Sequence, residues 1–322
     1  GRRSRKTTEA RTKVPAAMLP RRKRACEDAL YPVSTHCPLP TAFCLPPQMP
    51  ELPEVETIRR SLKPHLVGRR IVDLTVREPR LRERIDPAAL RRTCVGREIV
   101  DLERRAKYLL CHLEGGRTLI IHLGMSGRLV IEPADRPLQA HDHLQLRLDD
   151  GRELRFHDPR RFGRVTLCPS DGLAHHPLFC HLGPDPLAPG FTAAYLAERA
   201  RGRRLAVKNF LMDGRIVVGV GNIYACEALH VAAIHPSTAT GRIRPPRWAR
   251  LVAAVREVLK DSLRAGGTSF NNYVDGNGRA GLYQLDLHVY GREGEPCRRC
   301  GAAIRRILHG ARSTFYCPRC QH

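Results

Sequence analysis

The chain has 322 residues, 42% of them hydrophobic, and a formal net charge of +23. The apolar content suffices for packed cores and excludes a wholly disordered polypeptide, while the length suggests two domains of ordinary size. A charge excess of this sign points to a polyanion, nucleic acid ahead of an anionic membrane surface; no apolar run is long enough to span a bilayer, and the amino end lacks the short apolar block of a secretory signal.

Residues 1–48 are rich in Arg, Lys, Pro, Ser and Thr and have no helical or strand period. They carry two basic clusters, Arg2-Arg3-Ser4-Arg5-Lys6 and Arg21-Arg22-Lys23-Arg24. They read as a disordered basic leader. With ten basic and three acidic residues the leader holds only part of the charge, and +16 remains downstream.

From Met49 the pattern becomes globular. Leu52, Val55, Ile58 and Leu62 recur at helical spacing; Pro53 suits a first turn, and Glu54 and Glu56 suit a helix amino end. Strands are predicted at 71–76, 98–102, 119–123, 128–131, 144–148 and 153–156, the last two separated by the hairpin signal Asp150-Gly151. Short strands in series predict a β-sandwich. Beyond the prolines at 184–189, helices are predicted at 195–200, 205–212, 222–229 and 247–264, followed by a polar, glycine-spotted loop from Gly266 to about Gly281.

The chain holds twelve cysteines, which in a reducing interior are thiols or metal ligands before they are disulfides. Cys297, Cys300, Cys317 and Cys320 form two C-x2-C pairs sixteen residues apart. That spacing suits a closed, structural four-thiolate zinc site, with two disulfides or free thiols as the alternatives. The residues between the pairs, among them Arg305, Arg306, His309 and Arg312, predict a β-hairpin finger presenting cations. Cys94, Cys111, Cys168, Cys180 and Cys226 have no partner spacing and read as packing residues.

Gly219 and Gly221 flank Val220 just before a helix that begins at Asn222. A helix start offers free N–H groups and a positive dipole end, which suits a phosphate. Asn222 would cap the helix or donate to that phosphate, and Lys208 would reach the same anion; a plain helical turn is the alternative.

The ordered set MPELPEVET, RRAKYLL, HLGMSG, DPRRFG, GVGNIYA, GGT and VYGREGEPC, followed by the four-cysteine finger, closely resembles bacterial formamidopyrimidine-DNA glycosylase across residues 49–322. The resemblance implies an α+β fold: an N-terminal β-sandwich flanked by helices (49–185), a helix–two-turn–helix module with a lesion-covering loop (186–290), and a zinc-finger hairpin (291–322). It implies removal of oxidised purines from duplex DNA, then strand cleavage at the abasic site, by a monomer acting in the bacterial cytoplasm on nucleoid DNA. The related endonuclease VIII branch, directed at oxidised pyrimidines, begins Pro-Glu-Gly-Pro where this chain has Pro50-Glu51-Leu52-Pro53, which favours the purine branch.

Carried over residue by residue, the resemblance makes the amine of Pro50 the nucleophile and Glu51 the general acid. Lys107 becomes a second catalytic amine, and Arg312 the grip on the lesion phosphate. Met125, Arg160 and Phe162 become the wedge that fills the hole left by a flipped nucleotide. His141, Arg203, Lys208 and Asn222 become contacts to the DNA backbone, Arg203 only by its charge, since relatives often place lysine there. Taken singly, each has a blander reading: a helix-entry carboxylate for Glu51, a strand-edge lysine for Lys107, a nonspecific phosphate contact for Arg312, core packing for Met125 and Phe162.

Inside a chain, the Pro50 nitrogen is an amide with its lone pair delocalised into the carbonyl. The expectation is therefore translation from Met49 with that methionine then trimmed, or proteolysis of a leader, an organelle-targeting one being the main competitor. A third reading is an extended, catalytically dead form. The functional alternatives are a DNA-binding homologue without catalysis and an endonuclease VIII-like glycosylase.

Overall fold

The computed structural model describes residues 49–268 and 275–322; the leader reading and the middle of the expected lesion-covering loop lie outside the described residues. Helix α1, Leu52–Leu66, forms where the apolar spacing predicts it: Leu52, Val55, Ile58, Leu62 and Leu66 are all buried along one face. Pro53 sits in its first turn, and the Glu54 Oε2 accepts the Glu51 backbone N–H at 2.9 Å, one half of a capping box. Gly68, at φ +81°, follows the helix end in a conformation that favours glycine.

Eight strands build a sandwich of two antiparallel four-stranded sheets. They are β1 (Ile71–Val76), β2 (Ile99–Arg105), β3 (Tyr108–Leu113), β4 (Arg117–His122), β5 (Arg128–Pro133), β6 (Asp142–Leu148), β7 (Arg152–His157) and β8 (Arg164–Pro169). One sheet runs β1-β6-β7-β5 and the other β2-β3-β4-β8. A shared core holds Leu74, Leu144 and Phe156 from the first sheet, Leu102, Leu109 and Leu119 from the second, and Ile58 and Leu62 from α1.

Three elements escape the sequence reading: β3, β8 and helix α2, Pro87–Cys94. Strand β3 hides its period because both faces are covered. Leu109 and Cys111 enter the main core, while Leu110 packs on the other side with Ile120, Cys168 and Phe179. Helix α2 has eight residues and buries only Leu90 and Cys94, too little for a periodic signal.

The second half contains α3 (Ala193–Ala200), α4 (Val207–Leu211), α5 (Asn222–Val231) and α6 (Pro245–Arg264). The Thr192 hydroxyl accepts the Tyr195 N–H at 3.1 Å and caps α3. Helix α6 packs against α5, α3 and, across the halves, α1. The finger hairpin, β9 (Arg305–His309) with β10 (Arg312–Tyr316), is not a free appendage. Its Ile304 and Phe315, with Cys297 and Cys317, belong to the same core as Leu229, Trp248 and Leu251.

Cys94, Cys111, Cys168 and Cys226 are buried as packing residues, but Cys180 is exposed, which corrects its reading. It lies in the turn-rich segment after β8, where its neighbour Phe179 instead packs against Leu110, Ile120 and Cys168 of the β2-β3-β4-β8 sheet.

Candidate active site

Glu51 precedes α1 and is almost completely buried. Its Oε2 accepts the Gly221 N–H at 2.6 Å and its Oε1 the Ile223 N–H at 3.1 Å. The glycine turn therefore spends its helix-start N–H groups on a carboxylate of the same chain, where the sequence suggested a phosphate. The physics is unchanged, since an anion still sits at a helix N-terminus. Both glycines are needed for this approach. A Cβ on Gly221 would lie 2.3 Å from the Glu51 carboxyl carbon, and one on Gly219, at φ +80°, 2.6 Å from the Leu52 Cβ. The Leu52 N–H also donates to the Gly219 carbonyl at 3.0 Å.

Burial, partly offset by the two N–H donors and by Lys107, raises the Glu51 carboxyl from its ordinary 4.5 to about 7. A carboxyl at that pKa is partly protonated at neutral pH. Glu54 lies one turn on and is also buried; its pKa is raised by desolvation, and it binds the Tyr224 hydroxyl and the Thr268 N–H (2.8 Å). The Tyr224 hydroxyl also meets Ser262 and Thr268 at 2.6 and 2.9 Å. This network joins α1, α5, α6 and the start of the glycine-rich loop.

Lys107 is not a strand-edge lysine. Arg105 pairs with Tyr108, so Ala106 and Lys107 form the two-residue turn between β2 and β3, with Ala106 at φ +56°. From that turn the Lys107 ammonium acts electrostatically on Glu51. Burial lowers its pKa; Glu51 and Glu54 favour its charge, and Arg312 opposes it. Glu51, Lys107 and Arg312 are thus within electrostatic reach of one another along this chain of interactions.

Arg312 is exposed at the start of β10, beyond a tight turn in which Gly310 and Ala311 both have positive φ. Two expected DNA contacts hold its strand in place. The Lys208 Nζ donates to the Thr314 hydroxyl at 2.5 Å and the Ser313 carbonyl at 3.3 Å; the Asn222 Nδ2 donates to the same Ser313 carbonyl at 3.0 Å and to the Tyr290 hydroxyl at 3.2 Å. Lys208 is fully buried. Its ammonium is engaged inside the protein.

A second group gathers the expected wedge. Met125 is half-buried in the turn before β5, and Phe162 is an exposed large apolar side chain. The Arg160 guanidinium lies 5.0 Å from the Phe162 ring centre. The His141 ring touches His143 and His157, with centroids 5.9 and 5.8 Å apart. Arg203 is exposed ahead of α4, with its guanidinium 6.0 Å from the Phe210 ring centre.

The sulfurs of Cys297, Cys300, Cys317 and Cys320 lie within 4.8 Å of one another, with Cys300–Cys317 at 3.4 Å and Cys297–Cys320 at 3.9 Å. Disulfide sulfurs would be bonded at about 2 Å, whereas sulfurs on a tetrahedral zinc stand about 3.8 Å apart. The four cysteines fit one structural zinc.

Sequence reasoning missed the supporting residues. Glu54 carried a signal in its capping-box spacing from Glu51. Tyr224 and Ser126 carried none, because Tyr224 bonds Glu54 and Ser126 bonds the buried Asp158 across long stretches of chain.

Three family models match the chain in order: the formamidopyrimidine-DNA glycosylase N-terminal domain over residues 49–165, its H2TH domain over 182–273, and a zinc finger found in FPG and IleRS over 294–322. The formamidopyrimidine-DNA glycosylase of Syntrophotalea carbinolica is 53% identical over 276 residues, covering 85% of this chain and all of that protein. A Lactococcus lactis FPG variant in complex with Fapy-dG-containing DNA is similar with a TM-score of 0.80 at 34% identity, over 85% of this chain and 100% of that one. The Lactococcus lactis Fpg in complex with abasic-site DNA also gives 0.80 at 34% identity, over 84% and 99%.

Proposed function

This chain belongs to the formamidopyrimidine-DNA glycosylase family, a base-excision repair DNA glycosylase, and on that premise we propose that it removes oxidised purines from duplex DNA by a covalent route through Pro50. The Pro50 nitrogen forms a bond to the sugar C1′ as the bond to the base breaks; the electron pair leaves with the base, which takes up the proton that the ring nitrogen sheds. Glu51 delivers its proton as the C1′–O4′ bond opens, leaving an iminium between Pro50 and C1′. Lys107, with its pKa lowered by burial, takes part in base departure and in the β-elimination that breaks the strand. Arg312 grips the lesion phosphate through the later δ-elimination. The nitrogen of Pro50 can do this only once its bond to Met49 is absent.

One observation carries the reading: the carboxyl beside Pro50 is buried, held by the Gly221 and Ile223 N–H groups, and raised to about 7, so a protonated acid is present at neutral pH. Lys208 and Asn222 serve the phosphate indirectly, by fixing the strand of Arg312. Met125, Arg160 and Phe162 enter the duplex, and His141 and Arg203 meet its backbone. Zinc, held by Cys297, Cys300, Cys317 and Cys320, stabilises the finger. The bacterial relatives that the chain matches support placing the enzyme in the bacterial cytoplasm; no helix among the described residues is long and apolar enough to cross a membrane.

Borohydride reduction with 8-oxoguanine duplex tests this. Protein beginning at Pro50 should be trapped as a covalent adduct at that residue. Absence of an adduct with Pro50 free would leave a DNA-binding protein without catalysis, and stronger cleavage of oxidised pyrimidines would reverse the substrate choice.

A further inference from the structure

Three of the proposed DNA-contacting segments converge on one buried residue, two of them on its side chain. Asp158 is fully buried between β7 and β8. Its Oδ1 accepts the Ser126 hydroxyl at 2.6 Å, next to Met125, and its Oδ2 accepts the Gly163 N–H at 2.7 Å, just past Phe162. The Ser126 oxygen in turn accepts the Arg160 N–H at 3.2 Å. The backbone of Asp158 is committed too. Its N–H donates to the His141 carbonyl at 3.0 Å, and its carbonyl accepts the Arg161 N–H at 3.1 Å and the His143 ring at 2.8 Å.

The turn it holds is not relaxed. Arg161 has φ +56°, a conformation that a residue with a side chain rarely adopts. The two wedge turns also lie against each other with no room for a side chain between them. A Cβ on Gly124 would meet the Phe162 carbonyl carbon at 2.4 Å, and one on Gly163 would meet the Phe156 ring at 2.4 Å and Asp158 Oδ2 at 3.0 Å. Surface loops joined only by packing would splay when pushed between stacked bases. A buried carboxylate that accepts a hydrogen bond from each resists that load.

We infer that Asp158 is a positioning residue for base flipping: it locks the Met125 turn to the Arg160–Phe162 turn so that both enter the helix as one rigid wedge, with His141 registered beside them. This rests on the proposed role of those residues as the wedge. Asp158 touches no DNA itself. A merely structural residue would weaken every activity alike, whereas loss of the lock should weaken only steps that need a duplex to be opened.

The test uses Asp158→Asn, which keeps the shape but turns a donor toward one of its two donors. It measures 2-aminopurine fluorescence beside an uncleavable abasic analogue in duplex, excision of 8-oxoguanine from paired duplex, and cleavage of an abasic site in single-stranded DNA. The fluorescence rise should shrink and duplex excision should fall at least about tenfold, while single-strand cleavage, which needs no wedge, stays within about twofold. Equal losses on both substrates, or an unchanged fluorescence rise, would overturn the inference. Should Asp158→Asn fail to fold, judged by zinc content and thermal melting, Ser126→Ala removes one arm of the lock and must show the same selective loss. A wild type that unstacks the duplex but never cleaves it would fault the catalytic reading and leave the lock standing, because the fluorescence arm needs no chemistry.

Discussion

Glu51 and Gly221, 170 residues apart in the chain, are in direct contact: the Gly221 N–H donates to Oε2 at 2.6 Å, and there is no space for a Cβ between them. The proposed acid is shaped by a glycine in the other half of the molecule. Replacing Gly221 by Ala must push the carboxyl out of its cradle. Glycosylase turnover should fall by about two orders of magnitude or more, the usual worth of a positioned acid. Stability should drop by about 1–3 kcal/mol from overpacking. Single-turnover excision and urea unfolding measure the two; an active Gly221→Ala enzyme would show that the contact is dispensable.

Excision should depend on pH through the same carboxyl. With its pKa near 7, Glu51 loses its proton as pH rises through neutrality, so the glycosylase step should decline above about 7. Stability follows the same proton. The folded pKa lies above the unfolded value of 4.5, so the native state binds more protons between the two. The contribution is fully present below 4.5 and is lost as pH rises to about 7, at most about 3 kcal/mol. Glu51→Gln, which mimics the protonated acid, should remove this slope from the stability profile. A parallel profile in the variant would place the titration elsewhere.

Zinc removal should loosen more than the finger. Ile304, Phe315, Cys297 and Cys317 share a core with α5 and α6, and Ser313 is bonded from α4 and α5. Chelation, or Cys297→Ala, should lower the melting temperature of the helical half and weaken DNA binding together, by several kcal/mol in folding free energy. Binding and metal content unchanged in Cys297→Ala would remove that cysteine from the site.

Lys208→Met separates an internal amine from a phosphate contact. The structure engages that amine with Thr314 and Ser313; the Ser313 carbonyl keeps its bond from Asn222, so loss of the amine should cost about 1–3 kcal/mol of stability chiefly by leaving the buried Thr314 hydroxyl without its donor. The salt dependence of DNA binding should be unchanged. A direct phosphate contact would instead lower the slope of log K against log salt by about one.

Much of this was legible along the chain because its signals are local. The helically spaced run from Leu52 to Leu62, the C-x2-C pairs and the Gly219-Val220-Gly221-Asn222 turn each encode their geometry within a few residues, and each appears as an element or cluster in the fold. Strand β3 was not legible, since covering both of its faces erases the alternation on which recognition depends.

The roles within the site divide along the same line. Residue type and spacing were enough to name the four cysteines, because thiols in C-x2-C pairs bring their chemistry with them, whereas Pro50, Glu51 and Lys107 were named only by the resemblance of their motifs to formamidopyrimidine-DNA glycosylase. Folding alone determined that Glu51 would hold its proton near neutral pH, that the glycine turn would cradle a carboxylate, that Lys208 would be buried, and that Asp158 would join two loops. Those properties come from desolvation and from hydrogen bonds between segments tens to hundreds of residues apart. No local pattern records them, because the chain's order does not say which distant groups will exclude water from one another.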